Sequence, residues 1–225
     1  MYPLIAACTL FVGIHLFVSG TPLRARIVLA IGEKAYQGAF SLASAGALIW
    51  MALAYRTAEY VPLWAAPAGM RHAAALLMLV AVYLAVAGLA TRNPTSVGQT
   101  IDTAEPAHGI IRVTRHPFLW GVALWAVAHL LANGHLAALM LFGSLLLLAL
   151  AGPHLIDAKL RRRAPAPWLR LADATSWVPF LAIAQGRNRL ALGELTWWQP
   201  ALAAAIYLVI LLWAHRFVFG LAPLG

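Results

Sequence analysis

Charge is the scarcest commodity in this chain: 10% of its 225 residues are charged, and only seven are acidic. Soluble domains carry about 25%, so a water-facing surface of ordinary composition is excluded. Cysteine is nearly absent. Cys8 stands alone, which rules out an internal disulfide and any multi-cysteine metal cluster. No glycine-rich phosphate loop, no His-Glu-x-x-His pair and no closely spaced carboxylate pair occurs. The acidic residues all fall outside the apolar runs, which leaves no carboxylate relay for protons across a membrane. Tyr2-Pro3-Leu4 lacks the basic region of a cleaved signal peptide, so the first apolar run is expected to persist.

Apolar residues are what the chain has in abundance, at 63% of the total with a mean hydropathy of +0.81. Six runs approach the ~20 helical residues needed to cross a hydrocarbon core, near 3–19, 38–56, 72–91, 117–133, 135–153 and 200–219. The expected fold is an all-α, polytopic membrane helix bundle with about six spans, in one domain over 1–225. The fourth run is short, and only Asn133-Gly134 separates it from the fifth, which predicts a tight helical hairpin. Frequent Gly and Ala in the second and third spans allow close helix approach.

The connections carry their own signals. Thr21-Pro22 is an N-cap followed by a first-turn proline, and Leu23 to Ile31 places Arg24 and Arg26 among apolar residues before Gly32. A short interfacial helix is expected there. The loop from Arg92 to His116 holds Asn93-Pro94, Gly98, Pro106 and Gly109 and is too polar to cross. A long loop, about 154–199, opens with Asp157, Lys159 and Arg161-Arg162-Arg163 and runs through Trp168-Leu169-Arg170-Leu171 to Trp177-Val178-Pro179-Phe180.

The formal charge of +9 suggests nucleic acid until its placement is considered. Thirteen of the 16 lysines and arginines fall in the first, third and fifth connections. The positive-inside bias then puts those loops in the cytoplasm and both termini outside. Membrane lipid is the expected partner of these cations, and nucleic acid is not.

Eight histidines in so apolar a chain are the candidate chemistry. Ionisable groups inside a membrane are costly and mark functional sites, and neutral imidazole is a common axial haem ligand. His15 and His129 lie within apolar runs and are the metal-ligand candidates by position. Each could instead donate a ring N–H to a neighbouring helix carbonyl. His72, His135 and His215 fall near span ends as wet, interfacial residues, and His108 falls in a loop. His116 precedes Pro117, which opens the fourth helix. With Arg115, Asp157 and His154 it could line a polar mouth on the cytoplasmic side. Counted in residues from that side, His15 lies roughly 6 Å deep and His129 roughly 18 Å deep at 1.5 Å per residue.

Three blocks carry a resemblance. The first is Gly109-Ile110-Ile111-Arg112-Val113-Thr114-Arg115-His116-Pro117 with Trp125-Ala126-Val127-Ala128-His129 and Asn133-Gly134. The second is His15-Leu16-Phe17 with Thr21-Pro22-Leu23-Arg24 and Gly32-Glu33-Lys34-Ala35-Tyr36. The third runs from Thr175-Ser176-Trp177 to Gln185-Gly186-Arg187. Together they resemble the bacterial NnrU family, related to plant and algal 15-cis-ζ-carotene isomerase, an integral membrane haem b enzyme. The resemblance implies a bacterial inner-membrane protein with haem b held by two histidines, whose matching positions are His15 and His129. It implies a link to nitrite and nitric oxide metabolism, or isomerase-like action on a lipophilic small molecule. The isomerase has a cysteine three residues before the second histidine; here that position is Ala126.

Two other readings come from different classes. Arg115-His116-Pro117 is similar to the motif of isoprenylcysteine-type membrane methyltransferases, in which His116 and Asp157 would hold S-adenosylmethionine. A non-enzymatic assembly protein would use its histidines only as interhelical hydrogen bonds.

Overall fold

The computed structural model describes residues 1–96, 107–221 and 223. Gly98 and Pro106, taken above as loop markers, lie outside them. The described residues are helical throughout the apolar runs, with one isolated β-bridge between Pro62 and His135. α1 (Tyr2–Gly13) begins with a proline in its first turn and continues as a π-helical segment, Ile14–Ser19, that contains His15. α2 (Leu23–Ile31) forms the short helix expected there and stops at Gly32, whose φ of 85° glycine adopts without a Cβ clash. α3 (Glu33–Arg56) and α4 (Ala68–Ala90) follow. α5 (Pro117–Ala132) and α6 (Leu136–Arg163) form the hairpin. The long connection holds α7 (Pro165–Ala174) and a single turn, α8 (Leu181–Ala184). The last apolar run is α9 (Trp198–Val209), a π-helical segment Ile210–Ala214 and α10 (His215–Phe219).

Among the described residues five helical runs are long and apolar enough to cross a membrane, namely Tyr2–Ser19, Glu33–Arg56, Gly69–Ala90, Leu136–Arg163 and Trp198–Phe219. α5 has only 16 residues, roughly 24 Å at 1.5 Å per residue, against a core of ~30 Å. Its shortness was legible in the sequence. The fifth span differs from its expected boundary, because α6 runs ten residues past 153 to Arg163. Pro153 lies inside it, fully buried, where a proline ordinarily disturbs a helix. The basic run therefore occupies the last helical turn, where cations oppose the negative end of the helix dipole.

Packing fixes the direction of the elements. A Cβ added at Gly88 of α4 would lie 2.5 Å from the Phe118 nitrogen, and one at Gly121 of α5 2.8 Å from the Ala81 oxygen, so α4 and α5 run antiparallel in close contact. A Cβ added at Gly152 of α6 would lie 2.9 Å from Leu119 Cδ1 of α5, while His129 stacks on Phe142 with ring centroids 4.5 Å apart. In contrast, Cys8 of α1 donates to the Met140 carbonyl at 3.6 Å and Gly20 approaches Leu155, so α1 runs parallel to α6. The first, third and fifth connections consequently gather at one end of the bundle, here termed the basic end. At the opposite end the Leu63 and Trp64 N–H groups donate to the Gly134 carbonyl at 2.8 and 3.0 Å.

One buried cluster joins Leu4, Cys8 and Phe11 of α1, Met51 of α3, Ala126 of α5 and Leu141 and Phe142 of α6. Large apolar residues such as Leu42, Leu76 and Leu212 face outward at 70–77% exposure, the arrangement that lipid contact favours. The glycine contacts make a test. Gly88→Val is expected to cost ~1–3 kcal/mol or more through overpacking against α5, whereas Gly46→Ala, with open space around it, leaves stability unchanged. Thermal unfolding in detergent followed by size-exclusion chromatography reads both.

Candidate functional site

At the basic end a buried polar latch gathers around Asp157. The segment Thr114-Arg115-His116 lies between a 3₁₀ turn, Gly109–Arg112, and the proline that opens α5. His116 has φ −123° and ψ 54°, outside the α region, as a residue before proline tends to be. The Arg115 Nε and Nη2 donate to Asp157 Oδ2 at 3.0 and 2.5 Å, and its Nη1 donates to the Thr175 carbonyl at 3.2 Å. Its guanidinium lies 5.0 Å over the Trp168 ring. His116 Nε2–H donates to the other carboxylate oxygen at 2.8 Å. Burial pushes the His116 imidazole below its ordinary pKa, with the Asp157 carboxylate opposing that shift.

Main-chain partners complete the latch. The Arg115 N–H donates to the Ser176 carbonyl at 3.0 Å, and its own carbonyl accepts from Asn93 Nδ2 and Thr95 Oγ1 at 3.0 and 2.9 Å. Thr114 Oγ1 and Trp120 Nε1 both donate to the Trp177 carbonyl. Closer to the surface, Arg112 holds Glu194 through two 2.7 Å hydrogen bonds, and the Gly109 N–H adds a third at 2.8 Å. The Arg112 guanidinium and that N–H hold the Glu194 carboxyl down to about 2.

The structure thus brings Arg115, His116 and Asp157 together as the sequence suggested, but with their polar atoms turned on one another. His154 joins through a ring contact with Trp177 at 4.8 Å. Asn93, Thr95, Thr175 and Glu194 were not identified from sequence. Asn93 had been only a loop marker, and the one available signal for Glu194 was the rarity of acidic residues.

The two histidine candidates lie deeper. His15 Nδ1 is 2.7 Å from the Phe11 carbonyl, and His129 Nδ1 is 2.8 Å from the Trp125 carbonyl. A carbonyl only accepts, so Nδ1 carries the proton in both rings and a neutral imidazole presents its lone pair at Nε2. No hydrogen bond to either Nε2 occurs among the described residues. His15 packs on Phe11 and Phe40, and His129 on Trp125 and Phe142. Both are half-buried among aromatic rings. Nitrogen donors with a fixed tautomer and apolar walls fit the chemistry of axial haem ligation. π-helical turns such as the one holding His15 are frequent at functional sites.

Register on α6 relates their depths. Interpolating between the Cys8–Met140 and Gly20–Leu155 contacts puts His15 level with Leu148, whereas His129 is level with Phe142. The backbones are therefore roughly 10 Å apart along the helix axis at 1.5 Å per residue. Side chains lean toward the N-terminus of their own helix, and α1 and α5 point in opposite directions. His15 leans away from the basic end and His129 leans toward it, so the rings converge in depth.

The remaining histidines divide otherwise. His135 accepts from the Ala138 N–H at the start of α6 and faces the Tyr55 hydroxyl at 3.4 Å, and His215 Nδ1 donates to the Leu221 carbonyl. His108 approaches Glu194 at 4.0 Å. Beside Trp125, an apolar cavity of about 180 Å³ lies between α4 and α5, lined by Ala81, Val82, Ala85, Gly121 and Val122. That is small against the ~300–1,000 Å³ of drug-sized ligand pockets.

Two predictions follow from the latch. Asp157→Ala leaves Arg115 buried without its counter-charge and is expected to cost ~3–5 kcal/mol, read as a lower thermal midpoint in detergent. The Glu194 carboxyl sits at about 2 when folded against 4.5 for the free group. Its contribution is complete above about 4.5 and is lost as pH falls toward 2. The stability difference between the natural protein and Glu194→Gln is expected at pH 7 and should vanish across that window.

Comparison with known proteins agrees with this architecture. The chain is similar to 15-cis-zeta-carotene isomerase, chloroplastic, from Zea mays, at 37% identity over 82 residues. It is also similar to the protein of that name from Arabidopsis thaliana, at 35% over 82 residues. Each match covers 36% of this chain and 22% of the relative, so the chain spans about a fifth of those proteins. No solved structure matches. The family model described as NnrU protein matches residues 3–223, and this integral membrane helix bundle belongs to the NnrU family.

Proposed function

We propose that this chain is a haem b protein of the bacterial inner membrane in which His15 and His129 hold the iron, and that it acts in an isomerase-like way on a lipophilic, conjugated molecule. The observation that carries the reading is the pair of aromatic-walled imidazoles. Both are oriented by an Nδ1 hydrogen bond one turn back, with Nε2 unpartnered and the two rings leaning toward a common depth. The similarity to two carotene isomerases supports the isomerase-like part.

A haem held by His15 and His129 would supply redox-active, Lewis-acidic iron to the site. The chain's own part is to orient and to exclude water. Phe11 and Phe40 wall His15, while Trp125 and Phe142 wall His129. The main-chain carbonyls of Phe11 and Trp125 fix each ring's tautomer and orientation. Below them, the Asp157 latch anchors the start of α5.

A redox or nitric-oxide-linked role is the second reading. It is favoured by Ala126, which places no thiol at the position where the isomerases carry a cysteine, and by the small apolar cavity beside Trp125. Methyl transfer from S-adenosylmethionine has less support, since His116 and Asp157 are bound to each other and His116 is 2% exposed.

Single alanine variants test the ligand assignment after haem-sufficient expression. His15→Ala and His129→Ala are each expected to lose low-spin ligation and to lower haem retention at least ~10-fold, with His154→Ala unchanged. Natural spectra and haem content in both ligand variants would overturn the assignment.

A further inference from the structure

The basic end holds a second cluster that the latch does not use. At the junction of α1 and α2, Gly20 approaches α6 so closely that a Cβ there would meet both Leu155 methyl groups at 3.2 Å. Four residues further along each element stand Arg24 and Lys159, so the start of α2 lies over the last turns of α6. Lys159 is within electrostatic reach of Arg24, Arg162, Arg163 and Glu33. Glu33 is already committed, accepting from Arg24 and from Gln37 Nε2. Four cations therefore share one carboxylate.

Among the described residues no carboxylate other than Glu33 is ion-paired to them. Asp157 is held by Arg115 and His116, and Glu194 by Arg112. Lys159, Arg162 and Arg163 take part in no ion pair among the described residues. Lys159 is half-buried, so its ammonium has given up part of its hydration without a counter-charge. The dipole of α6 accounts for cations on its own last turns. It gives no reason for Arg24, on another helix, to converge on the same point. Around the cluster α2 exposes Leu23, Leu29 and Ile31 at 43–87%, which suits an interfacial helix whose apolar residues meet acyl chains at head-group level.

We propose that Arg24, Lys159, Arg162 and Arg163 form a binding site for the phosphate head group of an anionic phospholipid, with the lipid's acyl chains against the apolar side chains of α2. The phosphodiester oxygens replace the missing counter-charge, and the guanidinium groups provide paired donors for them. Basic pockets between membrane helices are suited to such head groups. The site is independent of haem binding, and it differs from general attraction to a charged surface in being local. Arg162, Arg163, Arg170 and Arg189 are all exposed, but Arg170 and Arg189 are not among the charges that act on Lys159.

Native mass spectrometry of the full-length protein in mild detergent tests this, with phosphatidylglycerol or phosphatidylcholine added. The natural protein is expected to keep one phosphatidylglycerol and to bind it at least ~10-fold more tightly than phosphatidylcholine. The variant Lys159→Gln/Arg162→Gln/Arg163→Gln should lose that preference, and so should Arg24→Gln made separately. Arg170→Gln/Arg189→Gln should keep it, and Lys159→Arg alone should retain it. Thermal midpoints in the absence of added lipid identify any variant that has lost its fold, in which case the other cluster variant decides. Equal phosphatidylglycerol retention in cluster and control variants, or equal binding of both lipids, overturns the proposal. Displacement of the lipid by millimolar inorganic phosphate would assign the site to a free anion instead and overturn it as well.

Discussion

Asp157 accepts two N–H groups from Arg115 and one from His116, and this ion pair joins the start of α5 to α6 where both leave the apolar core. Arg115 then reaches the Thr175 and Ser176 carbonyls through its side chain and main chain, and Asn93 and Thr95 grip its carbonyl from the third connection. One carboxylate thereby ties the third and fifth connections to α6. Burying a guanidinium carries a large desolvation penalty that only full pairing offsets. The Trp168 face, the Thr175 carbonyl and Asp157 Oδ2, which accepts from both Nε and Nη2, together meet that requirement.

The depth of His129 follows from this anchoring. With α5 tied at His116 and turned back at Gly134, its register on α6 is held at both ends. The small residues between them, Gly121 and Gly152, let α5 approach α4 and α6 at van der Waals distance. α1 meets α6 through Cys8 and Gly20 but runs the other way from α5. Helix polarity then acts on the side chains, and two imidazoles whose backbones differ by roughly 10 Å in depth lean toward closer depths. The π-helical turn after Gly13 changes the local repeat where His15 sits.

Much of the fold was legible because lipid makes hydrophobicity an almost direct read-out of position. The helices of the apolar runs, the Asn133-Gly134 hairpin turn and the short helix from Leu23 all appear where composition placed them. The end of α6 was not legible. Pro153 reads as a terminator by local rules, yet it is accommodated in the helix, and the arginines after it continue the helix. Arg115, His116 and Asp157 could be grouped from sequence because charge is so rare. Their main-chain partners could not be found that way, because any residue type offers a carbonyl. Likewise, the π-helical turn at His15 has no residue signature in Ile14-His15-Leu16.

The proposed low-spin haem b between His15 and His129 would give this bundle a visible absorption spectrum. Oxidised and dithionite-reduced absorption spectra of the protein, purified in mild detergent after haem-sufficient expression, test it most directly. The account predicts about one haem per chain, with a strong Soret band and sharp α and β bands on reduction. A protein that stays colourless even after haem reconstitution would contradict it.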